Sequence, residues 1–215
     1  MNNYQILVEY VGTNFVGWQI QKNGISVQEV IQGALYKIIK KKILLSGSGR
    51  TDAGVHAIAQ SASFMTEYEV KDKVNFIRSL NYFLLKHKVS ILEIKKRKKT
   101  FHARHSATKR TYKYLIVNRE ASLSLDKNRA WNFRKQLDFK LMKRGANILQ
   151  GTKNFSTFRA SSCSAKSPIK TLQKVKIKKI KDKIEIVFIS KSFLQQQVRS
   201  MVGCLKYLGE KKWTL

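Results

Sequence analysis

The most informative stretch of this chain reads Ser48-Gly49-Arg50-Thr51-Asp52-Ala53-Gly54-Val55-His56-Ala57. It places one carboxylate, that of Asp52, in a tight glycine turn directly after an apolar, strand-like run, Ile43–Ser46. Arg50 stands two positions before the acid, and an adjacent cation keeps a carboxylate ionised. This arrangement is typical of a carboxylate in a functional site rather than of a surface charge, so we predict a functional site here.

The residues in and after the glycine turn exclude two nucleotide-binding motifs. Gly49 and Gly54 have the separation of a phosphate-binding loop, but Val55 and His56 stand where that loop needs Lys and Ser or Thr. Asp52 occupies the place of the third glycine of a dinucleotide fingerprint, and its charge would repel a pyrophosphate. A plain tight turn remains the alternative to a site.

A single carboxylate also argues against ordinary glycoside hydrolysis, which uses a pair of acids. One aspartate can still act as a nucleophile on a sugar or a base. It would need a cation, for which Arg199 is a candidate, and an aromatic surface, for which Tyr112 and Tyr114 are candidates on one face of a strand. Core packing of the tyrosines and a surface position of Arg199 remain open alternatives.

The composition favours a polyanionic partner. Among 215 residues, 43 Lys and Arg oppose 13 Asp and Glu, which gives a formal net charge of +30. Lysine and arginine on phosphates release condensed counterions, so nucleic acid is the expected partner. The alternative is a lysine-rich but merely solvated surface. The hydrophobic fraction of 43% is enough for one large or two small cores.

The remaining reactive residues form no pattern of their own. Cys163 and Cys204 make no CxxC pair, which is typical of a reducing compartment. His102 and His105 lie three apart without acidic or cysteine neighbours, so we expect no metal site. The sequence shows neither a signal peptide nor a membrane-spanning run, and we expect a soluble, cytoplasmic protein.

Hydrophobic spacing predicts two α+β halves, residues 1–105 and 106–215. Ser26 and Glu29 form a capping box before the first helix, and Gly209 is placed to end the last one. A polar loop is expected over Gly151–Pro168. The expected helices are Val27–Ile39, Val74–Leu84, Leu141–Leu149 and Val198–Leu205. The expected strands are Tyr4–Tyr10, Ile43–Ser46, Ile58–Met65, Val89–Ile94, Thr111–Val117, Lys174–Ile180 and Ile184–Ile189, with a basic run, Lys95–Lys99, after the fourth.

Beyond these local patterns, the chain resembles the TruA-type tRNA pseudouridine synthases, the tRNA pseudouridine synthase A family, along almost its whole length. The glycine turn Gly49–Ala57 matches the catalytic signature, which is the most specific of the motifs. The other matching motifs are Gly12–Gln19, Phe101–Ala107, Arg110–Tyr114, Phe155–Ala160, Lys166–Pro168, Phe193–Leu194 and Val198–Gly203.

The resemblance implies a fold and a reaction. The fold would be the α+β pseudouridine synthase fold, two α/β halves with mixed, largely antiparallel sheets flanking a central basic cleft. A uridine would be flipped out of its RNA, as base-modifying enzymes require, and isomerised without a cofactor. Asp52 would be the nucleophile. Tyr112 would pack on the uracil, Arg199 would pair with Asp52, and Arg50 would hold the flipped conformation.

The resemblance also implies a substrate and a partner. The family acts on uridines 38, 39 and 40 of the tRNA anticodon stem-loop, usually as a homodimer. Family members usually continue for some tens of residues beyond the point matched by Leu215, so we expect a C-terminal half that is shortened at its end. A non-catalytic tRNA-binding protein or RNA-folding helper that has lost this segment is the alternative function.

Overall fold

The computed structural model describes residues 1–215 and divides into two compact units, Met1–Ala107 and Thr108–Leu215. Each unit combines one β-sheet with two helices, so the chain is α+β, as predicted. Its helices are α1 (Val27–Ile39), α2 (Lys73–Leu84), α3 (Phe139–Ile148) and α4 (Gln197–Gly209). No helix has both the length and the apolar character needed to cross a membrane.

The first unit contains a four-stranded antiparallel sheet in the order β2-β3-β1-β4. Alternating side chains of β1, among them Tyr4, Ile6 and Val8, are buried, because successive residues of a strand point to opposite faces. They join the apolar sides of α1 and α2 in one core. The strands are β1 (Asn2–Tyr10), β2 (Leu45–Gly47), β3 (Ala57–Thr66) and β4 (Val89–Arg97).

Helix α1 begins as its sequence predicts. The Ser26 side chain accepts a hydrogen bond from the Glu29 amide (3.2 Å), and the Glu29 carboxylate accepts one from the Ser26 amide (3.4 Å). This capping box satisfies two amides that have no partner within the helix. The helix then buries its apolar side, with Ile31 and Leu35 fully enclosed.

The second unit contains a five-stranded mixed sheet in the order β6-β5-β9-β8-β7. Strands β5 and β6 are parallel, and every other pair is antiparallel. The inward side chains of β9, Ile184, Ile186 and Phe188, form the centre of this unit's core against α3 and α4. The strands are β5 (Arg110–Val117), β6 (Trp131–Asn132), β7 (Gly151–Asn154), β8 (Ile169–Ile180) and β9 (Lys183–Ser190).

Several sequence expectations are wrong in their extent, among them the strand expected over Lys174–Ile180, which begins at Ile169. The strand expected over Ile43–Ser46 begins only at Leu45, because its pairing with β3 begins there, opposite Phe64. The strand expected to end at Ile94 continues to Arg97, where it still pairs with β1. The polar segment expected to be loop from Gly151 onward begins instead with strand β7, which hydrogen-bonds to β8 although its four residues are exposed.

Candidate active site

Asp52 lies in the loop that joins β2 to β3 in the first unit, and it is half-buried. The Val55 amide donates to the Asp52 carbonyl (3.2 Å), which closes a tight turn around the acid. Gly54 completes this turn at a φ of +78°, a left-handed conformation that favours glycine. The predicted glycine turn is therefore present, and it holds the backbone of Asp52 in one conformation.

The segment that follows β1 holds this loop from the other side. The Trp18 amide donates to the Thr51 carbonyl (3.1 Å), and the Gly54 amide donates to the Phe15 carbonyl (3.3 Å). The Gly12 amide donates to His56 Nδ1 (3.1 Å). Two sequence motifs that are far apart in the chain thus form one hydrogen-bonded structure around Asp52.

Two glycines make this close approach possible. A Cβ atom at Gly12 would lie 2.0 Å from the Val55 carbonyl oxygen, and one at Gly17 would lie 2.5 Å from the Thr51 carbonyl oxygen. Gly17 also has a φ of +118°, which other residues rarely adopt. Neither position accepts a side chain without displacement of the loop that carries Asp52.

Side chains from the sheet provide a second support that the sequence did not reveal. The Tyr10 hydroxyl lies 2.8 Å from Thr51 Oγ1 and donates to Gln60 Oε1 (3.2 Å). Gln60 Nε2 in turn donates to the Gly49 carbonyl (2.9 Å). Tyr10 and Gln60 are thus positioning residues for the loop. The only sequence signal for Tyr10 was an aromatic residue at the end of a strand, which packing explains equally well.

Arg50 lies on the same loop, and its side chain is exposed. The other two predicted site residues, Tyr112 and Arg199, belong to the second unit.

Tyr112 lies on β5, opposite Phe188 of β9, and is half-buried. Its ring meets the Phe193 ring edge-on, with centroids 5.1 Å apart and an interplanar angle of 88°. Tyr114 lies two residues further along the same face, where its ring meets that of Trp131. Neither tyrosine is fully enclosed.

Arg199 lies in the first turn of α4, and its side chain is exposed. Burial raises the pKa of the Tyr114 hydroxyl, and the positive charge of Arg199 opposes that shift. The charge of Arg199 therefore acts on the face of β5 that carries Tyr112 and Tyr114, which we call the tyrosine face. This proximity was not evident from the sequence, because α4 and β5 are separated by most of the second unit.

The predicted loop after β7 is held to the start of α4. The Ala160 amide donates to the Gln195 carbonyl (3.1 Å), and the Arg159 guanidinium donates to the Cys163 carbonyl (2.5 Å). Burial acts to raise the pKa of the Cys163 thiol, but amide donors from Gln195 and Ala165 and the nearby Arg159 outweigh it and lower that pKa. Both cysteines are free thiols, and no cluster of three or more His, Cys, Asp or Glu side chains is placed to hold a metal ion.

Comparison with known proteins decides the family. A family model described as "tRNA pseudouridine synthase" matches residues 6–106 and 146–215, which include the Asp52 loop and all of α4. The chain belongs to the tRNA pseudouridine synthase family. Membership makes this chain an RNA-modifying enzyme, an isomerase, and it confirms the resemblance stated from the motifs.

The curated relatives agree with this tRNA pseudouridine synthase assignment. The chain is 59% identical to tRNA pseudouridine synthase A of Pelagibacter ubique over 215 residues, which are 100% of this chain and 87% of that protein. It is 43% identical to the Parvibaculum lavamentivorans protein of the same name, again over 100% of this chain and 87% of the relative. The Beijerinckia indica protein of that name is 45% identical, over 100% of this chain and 82% of the relative.

Proposed function

We propose that this enzyme isomerises uridine to pseudouridine at positions 38, 39 and 40 of the tRNA anticodon stem-loop, with Asp52 as the nucleophile. The observation that carries the proposal is the placement of Asp52. The acid sits in a turn fixed by backbone hydrogen bonds from Trp18 and Gly54 and by the Tyr10 hydroxyl. A fixed acid is what covalent catalysis needs, because orientation of the attacking group supplies much of the rate.

The proposed reaction balances without any external reagent. The bond between uracil N1 and ribose C1′ breaks, the uracil turns, and a bond forms between C5 and C1′. The proton on C5 is then removed and N1 takes up a proton, so the atoms of substrate and product balance. Since nothing is imported or oxidised, no cofactor is required. In this proposal Asp52 attacks the flipped nucleotide and later leaves it, so the acid is regenerated at the end of each turnover.

The other site residues are assigned to the substrate. Tyr112 would pack on the uracil and assist removal of the C5 proton, a task within reach of a phenol hydroxyl. As the resemblance implies, Arg199 would pair with Asp52, and exposed Arg50 would help to hold the flipped conformation of the uridine. These roles come from the family resemblance and fit the burial and exposure of each side chain.

The setting of the reaction is part of the same proposal. We propose a cytoplasmic homodimer whose N-terminal half, residues 1–105, carries the catalytic loop and whose C-terminal half, residues 106–215, carries Tyr112 and Arg199. The net charge of +30 supports a tRNA partner. A non-catalytic tRNA-binding role is not favoured, since binding alone would require no acid held in this turn.

A matched pair of charge-removing variants tests the nucleophile. Asp52→Asn keeps the shape of the side chain and is expected to abolish release of tritium from 5-tritiated uridine in tRNA, while tRNA affinity stays within a few-fold. Glu9→Gln removes the same charge from an exposed position on β1 and is expected to leave turnover unchanged. Tritium release by Asp52→Asn at the rate of the Glu9→Gln control would exclude Asp52 as the nucleophile.

A further inference from the structure

A shallow groove of about 390 Å³ lies at the end of β4 in the first unit, and the proposed reaction does not use it. It contains part of the basic run Lys95–Lys99 that the sequence placed after a strand. The residues that line it are Lys96, Arg97, Lys98, Thr100, Phe101 and Ser106. Cationic, aromatic and hydroxyl groups therefore meet in one concave surface.

Buried polar side chains hold the loop that forms this groove. Asn3 is only 2% exposed, and its Nδ2 donates to the carbonyls of Lys98 (2.9 Å) and Phe101 (2.7 Å). Ser63 is 5% exposed, and its Oγ accepts a hydrogen bond from the Ala103 amide (3.0 Å). Because a buried polar group without a partner is costly, the hydrogen bonds of Asn3 and Ser63 stabilise this loop conformation. The groove is thus preformed.

The cations of the groove are only partly neutralised. Of the five in the basic run, Lys95 pairs with Glu93 (2.6 Å) and Lys96 with Glu69 (3.4 Å). Arg97 is instead held by Gln5 Oε1 (2.7 Å), and its guanidinium lies over the Phe101 ring, 5.3 Å from the centroid. A fixed guanidinium beside an aromatic ring and a lysine without a carboxylate partner suits phosphate and a stacked base.

The groove and the catalytic loop occupy opposite ends of the same sheet. Asn3 of β1 pairs with Arg97 of β4, whereas Tyr10 at the other end of β1 contacts Thr51. From Asn3 to Tyr10 the strand covers about 24 Å, at about 3.4 Å per residue. One flipped nucleotide cannot reach both places, but a folded RNA arm can.

We propose that this groove binds the sugar-phosphate backbone of the same tRNA, at a nucleotide remote from the target uridine. Arg97 and Lys98 contact the phosphates, and Phe101 supports the neighbouring base. The contact anchors the arm while the uridine enters the catalytic loop, so it contributes to binding and not to the chemical step. This inference rests on the proposed function for the identity of the RNA.

Charge-neutralising variants test the proposal against a matched control. The groove variant is Arg97→Gln with Lys98→Gln, which removes the two cations proposed to contact phosphates. The control is Lys140→Gln with Lys143→Gln, which removes the same charge from the exposed side of α3. Unmodified tRNA is the probe, and its affinity is measured across a range of salt concentrations, together with kcat and KM from tritium release and the Tm of each variant.

The groove variant is expected to bind tRNA about tenfold more weakly, with KM raised to match and kcat and Tm unchanged. Its slope of log affinity against log salt is expected to fall by about one to two, since each lost phosphate contact removes about 0.7–0.9. The control variant is expected to bind tRNA within about twofold of the unaltered enzyme. Equal losses of tRNA affinity in both variants would mean that only overall charge matters, and would contradict the proposal that the groove binds RNA.

A third variant tests the aromatic part. Phe101→Leu keeps the charge and the apolar volume but removes the ring, and it is expected to weaken binding about threefold with an unchanged salt slope. Unchanged affinity would exclude base support by Phe101. Absence of tritium release in the unaltered enzyme would instead contradict the proposed function, while the binding measurements would still decide whether the groove holds RNA.

Discussion

The hydroxyl of Tyr10 lies 2.8 Å from Thr51 Oγ1, and this contact joins the end of β1 to the residue before Asp52. It is not a local contact, since the two residues are far apart in sequence and meet only when β1 pairs with β3. The contact therefore couples the formation of the sheet to the placement of the acid.

Tyr10→Phe removes the hydroxyl, and with it the contacts to Thr51 and Gln60 that support the loop. The ring keeps its packing beside Trp18, with centroids 6.2 Å apart, so the fold is expected to persist with a loss of about 1 kcal/mol for the hydrogen bond. We expect kcat to fall about tenfold, because the turn that carries Asp52 loses a support, while KM changes little. The rate of tritium release at saturating tRNA is the measurement.

Tyr4→Phe serves as its control. The Tyr4 hydroxyl, on the same strand, accepts a hydrogen bond from the Val70 amide (2.9 Å), remote from the loop that carries Asp52. Its removal leaves a buried amide unpaired, so Tyr4→Phe is expected to be the less stable variant and yet to keep full kcat. A lower kcat for Tyr4→Phe than for Tyr10→Phe would contradict a specific role of Tyr10.

Gly17→Ala tests the close approach of the two backbone segments. The new methyl group would lie 2.5 Å from the Thr51 carbonyl oxygen, at a φ of +118° that alanine adopts only under strain. We expect a loss of about 1–3 kcal/mol in the free energy of unfolding and a fall in kcat of at least tenfold, because the loop must shift. Urea unfolding and tritium release measure the two effects.

Gly33→Ala is the matched glycine substitution. Gly33 lies inside α1, and a Cβ atom there would have no neighbour within 4 Å. Alanine forms helix better than glycine, so the variant is expected to gain about 0.5–1 kcal/mol with unchanged activity. Equal losses at both glycines would show that Gly17 has no special relation to the loop that carries Asp52.

Local sequence patterns predicted the parts of this fold that local physics determines. The capping box at Ser26 and Glu29 set the start of α1, and regular apolar spacing set all four helices within a few residues. The turn around Asp52 was predictable for the same reason, since Gly54 readily adopts the positive φ that the turn requires. Each of these features needs only neighbours in sequence.

Features that depend on distant partners were not predictable. Strand β6 has two residues, Trp131 and Asn132, and exists only because it pairs with the end of β5. Strand β7 is exposed and polar, so no apolar alternation indicates it, and its pairing with β8 alone defines it. The same holds for Gln60 and Asn3, whose roles come from hydrogen bonds to remote carbonyl groups.

Tyr112→Phe tests the chemical role proposed for the phenol. The ring keeps its edge-on contact with Phe193, so folding and tRNA affinity are expected to stay within about twofold. Turnover is expected to fall about 10²–10⁴-fold, the usual contribution of a positioned acid or base. Tyr114→Phe, on the same face of β5, is the control and is expected to keep kcat within about threefold. Similar losses in both variants would assign the effect to the polarity of the face rather than to Tyr112.

The end of α4 contains an ion pair that is almost completely enclosed. Lys206 Nζ lies 2.6 Å from Glu210 Oε2, with the two side chains 12% and 6% exposed. The ammonium group also lies over the ring of Tyr207, 4.0 Å from its centroid, and near the ring of Phe133. The hydrogen bond from Lys206 is the largest cause of a lowered pKa at Glu210, although burial opposes it.

Glu210→Gln is therefore expected to destabilise the protein by leaving the Lys206 charge enclosed without its partner, and to lower Tm by several degrees at neutral pH. The pKa of Glu210 is lowered from 4.5 in the folded state, so its contribution is complete above that pH and is lost as the pH falls through the folded-state value. The Tm difference between the unaltered protein and Glu210→Gln should shrink accordingly in acid.

Glu67→Gln is the control, because Glu67 pairs with Lys41 at 68% exposure on both sides and solvent screens the pair. A Tm difference for Glu210→Gln that stays constant below pH 4.5, or one no larger than that of Glu67→Gln, would show that the enclosed pair does not stabilise the end of α4.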